Sequence, residues 1–498
     1  MNHPNANIRI KFKDHIHCKV DADVSIMQEL NDHFTFDQPG ARFMPQYRAK
    51  LWDGKVRLYS LFTKELYVGL IPYVKAFAND MGYVVDDSSE QYRALNKTLD
   101  IKEYLTGLNL HGHGKPIEIR DYQIEAVSHA IHHNRTLLLS PTGSGKSLII
   151  YSLMRYHLNQ NRRQLIVVPT TSLVEQLYAD FQDYSSANGW KTSEHVHRIY
   201  GGHEKSNQWP VVISTWQSLH KLPKTFFEKF DVVYGDEAHL FKAKSLTSIL
   251  NKMPHCMYRV GTTGTLDGLQ THKLILEGIF GAVHKVTTTR NLIKNNQLAD
   301  LDITVITLSY PDEVRKGAKG FTYQDEMDFI TQYRGRNIFI RNLALSQTGN
   351  TLVLFQYVEK HGKALFADIK EKAHDKRKVF FVSGQTETDD REEVRRITEL
   401  EKDAIIVASY GTFSTGINIR NLHNIIFASP SKSRIRNLQS IGRGLRTSES
   451  KDRCKLFDIG DDLSWKTKKN FTLTHLAERI KIYNEEHFDY KLVKVNIQ

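Results

Sequence analysis

The residues with the clearest chemistry form one run, Ser140, Pro141, Thr142, Gly143, Ser144, Gly145, Lys146 and Ser147. An apolar stretch precedes it and a helical stretch follows, the setting of a phosphate-binding loop. Gly143 and Gly145 let backbone N–H groups approach phosphate oxygens, and the N-terminus of the next helix adds a positive dipole. Lys146 is expected to reach the outer phosphates, and the Ser147 hydroxyl to bind Mg2+. Ser140 stands where the general pattern has its first glycine. A second run, Gly235, Asp236, Glu237, Ala238 and His239, ends the apolar stretch 230–234. Carboxylates at the C-terminal end of a parallel strand sit where such sheets bind ligands. Asp236 is expected to hold Mg2+, and Glu237 to orient and deprotonate an attacking water. Taken singly, these are a glycine turn and an acidic strand end; together they imply ATP hydrolysis.

The elements that must position these residues follow from the hydrophobic pattern. Apolar runs at 136–139, 165–168, 211–214 and 232–234 alternate with helical stretches such as 147–160, the rhythm of a parallel sheet covered by helices. The rhythm restarts at 352–355, 379–382, 405–408 and 425–428 after a polar, Lys/Arg-rich bridge at 311–336. The N-terminal part mixes strand-like runs (8–12, 55–59) with helices near 25–33 and 72–81, and 107–116 reads as a linker. A helix near 474–486 and a strand-like KLVKV close the chain. The expected fold class is α/β: two tandem parallel-sheet domains of similar size, a small α+β N-terminal domain and a short C-terminal helical extension. The expected boundaries are 1–110, 111–310, 311–465 and 466–498.

Composition agrees with this division. A chain of 498 residues exceeds one hydrophobic core, and 40% apolar with 25% charged residues is ordinary globular usage. A formal charge of +12 favours a polyanionic partner. Cys18, Cys256 and Cys454 form no CxxC pair, which argues against a zinc site and a disulfide framework. The N-terminus has no apolar signal core and no run is long enough to span a membrane, so a cytoplasmic protein is expected, in the host cytoplasm if phage-encoded.

Further runs carry a resemblance. Arg120 and Gln123 lie in IRDYQ, Thr170 and Thr171 in PTTSL, Thr215 and Trp216 in STWQ, and 261–265 reads GTTGT. In the second half stand LVLFQYVEKHG at 352–362, ASYGTFSTGI at 408–417 with Thr412 and Gly416, and QSIGRGLR at 439–446 with Gln439, Arg443 and Arg446. In order and spacing this set resembles the superfamily 2 helicases over roughly 117–460, and over nearly the whole chain it is similar to the recombination and repair helicases of T-even-like bacteriophages. The resemblance implies that the two parallel-sheet domains are RecA-like and that Gln123 reads adenine, with Arg120, Gly416 and Gln439 in the same nucleotide site. It implies that Thr170, Thr171, Thr215, Trp216 and Thr412 touch the tracking strand. One or both of Arg443 and Arg446, which the spacing places one helical turn apart, would stabilise the transferred phosphoryl. The implied function is an ATP-dependent, Mg2+-requiring DNA helicase that remodels forks, Holliday junctions, D-loops and R-loops in recombination, repair and replication. Its implied partners are branched duplex, single-stranded DNA and RNA–DNA hybrid, and it is expected to be a monomer. The alternatives are a double-strand translocase, an ATP-switched annealing or binding protein without strand separation, and an RNA helicase.

In the N-terminal part, Arg42, Arg48, Lys50, Lys55 and Arg57 interleave with Phe43, Tyr47, Trp52 and Tyr59. Basic groups could neutralise phosphates while aromatic faces stack on unpaired bases, with Arg48, Trp52 and Lys55 as candidates. Period-two alternation of a half-buried strand pair would produce the same text. His15, His17, Cys18 and His33 lack a metal-ligand spacing, and Lys466, Lys468 and Lys469 read as a solvated run.

Overall fold

Strands Gln164–Val168 and Val211–Thr215 are buried at every position, which is why their sequences are continuous apolar runs rather than alternating ones. The computed structural model describes residues 5–90, 100–373, 377–416, 419, 421–446 and 451–498; of 388, 389, 392 and 414–416 it describes the backbone alone. By contact the chain divides into two compact units, residues 1–140 with 145–286, and residues 141–144 with 287–498.

The first unit contains a seven-stranded sheet in the order Val196–Ile199, Val211–Thr215, Gln164–Val168, Val232–Asp236, Tyr258–Thr263, Arg135–Leu139 and Val283–Lys285. Every neighbouring pair is parallel. Helices Asp121–His133, Lys146–Asn159 and Thr171–Tyr184 seal one face through Ile131, Leu153 and Phe181, and helix Gln270–Phe280 lies on the other with Phe280. Parallel pairing brings the C-terminal ends of strands Arg135–Leu139 and Val232–Asp236 to one rim of the sheet.

The N-terminal sheet belongs to the same unit. Its four strands run in the order Glu65–Tyr67, His17–Ala22, Ile8–Phe12 and Val85–Asp87, with helices Val24–His33 and Ile71–Met81 closing a core around Leu30, Leu70 and Val74. Leu274 of helix Gln270–Phe280 completes that core. At the contact, a Cβ on Gly69 would strike the Glu277 carbonyl and one on Gly278 would lie 2.9 Å from Tyr67 Cβ, so two glycines permit the close approach. Tyr73 Oη donates to Glu277 Oε2 at 2.6 Å, and Arg135 Nη2 to the His15 carbonyl at 2.7 Å.

The second unit repeats the plan: Val379–Val382, Ile405–Ser409, Thr351–Phe355, Asn424–Phe427, Arg453–Asp462, Asp300–Ser309 and Tyr490–Asn496, again all parallel. Two buried ion pairs hold strand Arg453–Asp462: Arg336 Nε lies 2.7 Å from Asp461 Oδ1, and Arg479 Nη2 lies 2.8 Å from Asp458 Oδ1. Tyr310 and Tyr483 donate to the same two carboxylates. Glu326 accepts from the Phe471 and Thr472 amides at 2.9 and 2.7 Å, satisfying the open N-terminus of helix Phe471–Glu485.

Four expectations change. A boundary at 310 falls after strand Asp300–Ser309, which hydrogen-bonds in the second sheet. The segment 466–498 does more than extend the chain as a helix, because its strand Tyr490–Asn496 is that sheet's edge. Helix Ile101–Gly107 packs into the core of the first parallel sheet, which sets the N-terminal domain's limit before 110, and the expected linker holds the hairpin His111–Gly112 with Lys115–Pro116. The expected bridge at 311–336 is helical over Asp312–Gly317 and Tyr323–Gln332.

Candidate functional site

The phosphate-loop run leaves strand Arg135–Leu139 and enters helix Lys146–Asn159. Gly143 and Gly145 have φ of +85° and +84°, the left-handed region that favours glycine. A Cβ on Gly145 would strike the Gln123 side-chain amide. Gln123 is 4% exposed, and its Oε1 accepts from the Arg120 amide at 3.1 Å. Arg120 caps helix Asp121–His133 and donates to the Tyr122 hydroxyl at 2.8 Å. At the loop's start the Ser140 amide donates to the Thr263 carbonyl at 2.8 Å, and Lys146 Nζ returns to the Ser140 carbonyl at 3.1 Å. Ser144 Oγ donates to the Pro141 carbonyl at 2.6 Å. The Ser147 hydroxyl meets the Tyr184 hydroxyl at 2.8 Å.

On the same rim, Asp236 ends its strand and Oδ1 accepts from Thr262 Oγ1 at 2.8 Å. Asp236 is densely surrounded by protein yet reaches solvent at the rim. Burial raises its pKa, the Glu237 carboxylate raises it further, and the Lys146 charge opposes both. Glu237 follows at φ +50°, a strained conformation for a residue with a side chain. His239 Nδ1 lies 3.3 Å from Glu237 Oε2 and 3.0 Å from Thr263 Oγ1. A hydroxyl and a buried carboxylate form an all-oxygen donor set, and the crowding of Asp236 with Glu237 is relieved by a cation, so Ser147 and Asp236 fit a hard divalent ion such as Mg2+. Among the described residues no group of three or more His, Cys, Asp and Glu could hold a metal; Cys18 is core and His17 stacks on Tyr67.

Thr170 lies past the C-terminal end of one first-sheet strand and Thr215 ends another, and both hydroxyls are engaged locally. Thr170 Oγ1 accepts from the Leu173 amide at 3.3 Å, and Thr215, 5% exposed, pairs with Ser218 Oγ at 3.0 Å. Trp216 is half-buried against the lower core, whereas Thr171 is exposed.

In the second unit, Thr412 is 5% exposed and bonds Ser409 Oγ at 2.8 Å. Gly416 ends helix Tyr410–Gly416, and its surroundings, like Ile417, lie outside the described residues. Gln439 and Arg443 lie on helix Arg434–Gly444. Arg443 Nη1 donates to the Phe413 carbonyl at 2.5 Å. Arg446 does not continue that helix: the helix stops at Gly444, where Ile425 and Cys454 fill the space of a side chain, and Leu445 is the cap. The expected one-turn pairing of the arginines on a single helix is therefore replaced by one arginine on the helix and one beyond its end.

In the N-terminal domain the basic and aromatic residues separate. Tyr59 is 1% exposed and donates to the Val20 carbonyl, while Phe43 is 63% exposed. Arg42, Tyr47, Arg48, Lys50, Trp52 and Asp53 line an open concavity, and Lys55 gives its carbonyl to Trp52 Nε1 at 2.9 Å. The partnerships of His239, Thr262, Thr263 and Tyr184 had no sequence signal beyond the position of the first three in or beside named runs.

Three family descriptions match: "DNA helicase UvsW, N-terminal" over residues 7–86, "Type III restriction enzyme, res subunit" over 116–268, and "Helicase conserved C-terminal domain" over 335–448. The chain is 37% identical over 513 residues to the ATP-dependent DNA helicase UvsW of enterobacteria phage T4, covering 99% of this chain and 100% of that protein. The crystal structure of T4 UvsW aligns over 98% of this chain and 99% of that one, at 35% identity and TM-score 0.52. A fragment of an HsdR subunit of a type I restriction enzyme from Vibrio vulnificus YJ016 matches at 18% identity and TM-score 0.58 over 85% of this chain and 74% of that one, a likeness of fold.

Proposed function

The chain belongs to the UvsW family of ATP-dependent DNA helicases, and from that premise we propose that it unwinds and remodels branched DNA with the residues described above. In this reading Lys146 binds the outer phosphates of ATP, Gln123 reads the adenine with Arg120 beside it, and Gly416 and Gln439 contact the nucleotide. Ser147 and Asp236 hold Mg2+, which when bound neutralises charge on the phosphoryl oxygens. Glu237 takes the proton of the attacking water, and His239 keeps its carboxylate oriented. Arg443 and Arg446 stabilise the charge that develops on the transferred phosphoryl. The observation that supports this assignment best is the charge imbalance at Asp236, where burial and Glu237 work against ionisation and the Lys146 charge works for it.

Thr170, Thr171, Thr215, Trp216 and Thr412 are proposed as the strand-facing segments, with the locally bonded Thr170, Thr215 and Thr412 hydroxyls setting the backbone that meets phosphate. Arg48, Trp52 and Lys55 are proposed as a further contact; the exposed Phe43 and the shared concavity of Arg48 and Trp52 favour it over a wholly core reading. The proposed substrates include RNA–DNA hybrid, the active species is a monomer, and the compartment is the cytoplasm of a host cell. Among the described residues no helix is long and apolar enough to cross a membrane.

The test is ATP-dependent strand separation on a forked DNA, an R-loop and a matched linear duplex. Wild type is expected to open the branched substrates, and Lys146→Ala and Glu237→Gln to bind DNA without turning over ATP. DNA-stimulated hydrolysis without strand separation would instead indicate a translocase or an ATP switch, and near-normal turnover in either variant would remove the site assignment.

A further inference from the structure

Helix Arg434–Gly444 ends where its last carbonyls have no intrahelical donor. Three successive carbonyls at that end are nevertheless all taken. The Lys451 ammonium donates to the Gly444 carbonyl and, at 3.0 Å, to the Arg446 carbonyl, while the Ala299 amide donates to the Leu445 carbonyl at 2.8 Å. Lys451 is 4% exposed. Withdrawing an ammonium from water is unfavourable unless its donors find acceptors, and two of those acceptors bracket the point where Arg446 leaves the helix.

We propose that Lys451 is a positioning residue for Arg446, fixing the backbone from which that guanidinium projects. The inference rests on the reading of Arg446 as an arginine that stabilises the transferred phosphoryl. Arg443 is anchored through its own guanidinium, which donates to the Phe413 carbonyl. At Arg446 the main chain itself is held, its carbonyl accepting from Lys451 at 3.0 Å, so the direction in which the side chain leaves is tied to that grip. A glycine turn or water would satisfy a helix end more cheaply than a buried cation. The position also has a cost that an ordinary cap avoids: burial lowers the Lys451 pKa, and the neighbouring Arg446 charge lowers it further. A cation does complement the negative end of the helix dipole. What sets Lys451 apart from any cap is that one terminal group reaches carbonyls on both sides of Leu445, which defines the backbone path and not only its hydrogen bonding. Gly444 contributes as well, since a side chain there would collide with Ile425 and Cys454 and displace the same turn.

The experiment compares Lys451→Met, Lys451→Gln and Lys451→Arg with Arg446→Ala and the Lys451→Met/Arg446→Ala double variant in the full chain. DNA-stimulated kcat, KM for ATP, binding of a fluorescent ADP and thermal unfolding are measured for each. Lys451→Met is expected to lower kcat by about 10- to 100-fold with KM and ADP binding unchanged, as for a misplaced catalytic group. Lys451→Arg is expected to restore most of the rate, and the double variant to be no slower than Arg446→Ala. A lower Tm with wild-type kcat in Lys451→Met, or additive losses in the double variant, overturns the proposal while leaving the role of Arg446 in place. Wild-type turnover in Arg446→Ala overturns both. Should Lys451→Met not fold, the same division between kcat and KM is read from Lys451→Gln, which keeps a donor without the charge.

Discussion

Strand Arg453–Asp462 of the second sheet and strand Val232–Asp236 of the first both carry aspartates into the protein, and the company those aspartates keep differs. Asp458 and Asp461 each face a buried arginine and a tyrosine hydroxyl. Asp236 has a threonine hydroxyl, a second carboxylate beside it and the Lys146 charge. Arginine is present in the first unit's interior too, but the buried Arg259 donates to the carbonyls of Cys256, Leu250 and Met253. Two sheets of the same strand order thus handle charge in opposite ways. Asp458 and Asp461 are neutralised within the protein, whereas at Asp236 burial and the Glu237 carboxylate outweigh the Lys146 charge and raise the pKa, the pattern expected where a carboxylate is kept for chemistry.

That contrast can be broken at its strongest point by removing Arg479. Arg479→Met leaves Asp458 buried without its cation and is expected to lose about 3–5 kcal/mol of stability in urea unfolding, most of which returns in an Arg479→Met/Asp458→Leu double variant. A loss below 1 kcal/mol would mean that the pair is no more than a surface bridge in effect.

The opposite sign is expected at Asp236. Its pKa is raised in the folded chain, so at neutral pH ionisation weighs against folding, and the stability it withholds returns only as pH falls toward the carboxylate range. Asp236→Asn is therefore expected to raise the Tm of the ligand-free protein, by about 2–4 °C for each kcal/mol gained, while abolishing ATP turnover. MgADP should stabilise wild type more than the variant. An unchanged or lower Tm would show that the charge is already balanced.

A third measurement, read as a gradual slope with pH, sharpens the comparison by showing what the two units share. Burial depresses His157 in the first and His361 in the second to about 3. Their contribution is present above the ordinary histidine value near 6.5 and is lost as pH falls toward 3, by about 1.4 kcal/mol per pH unit for each. Thermal unfolding between pH 7 and pH 4 should show this slope, and His157→Gln or His361→Gln should each remove one proton's worth of it. A slope unaltered by both substitutions would assign acid sensitivity to other groups.

The legible parts of the molecule are those whose physics is local. A phosphate loop needs glycines, lysine and a hydroxyl in adjacent positions, and helix Ile71–Met81 shows its buried face at helical spacing. Strand Asp300–Ser309 was not separable from what precedes it, because its partners lie at 453–462 and 490–496 and no nearby residue records that pairing. Phe43 and Tyr59 occupy one basic–aromatic run, yet one is exposed and the other is core; a period of two gives alternation without saying which face is covered. The need for glycine at 444, at the end of helix Arg434–Gly444, depended on Ile425 and Cys454, which fill the space a side chain there would need.

By itself the sequence determined the helicase family and the two tandem parallel-sheet units, and it singled out the glycine–lysine and acidic runs at the ends of two strands, since each is written in neighbouring positions. Only the tertiary structure decided which charges are neutralised inside the protein, which hydroxyls are consumed as caps, and how the backbone is held at Arg446. Those outcomes depend on groups far apart in the chain competing for the same donors and acceptors in a space closed to water.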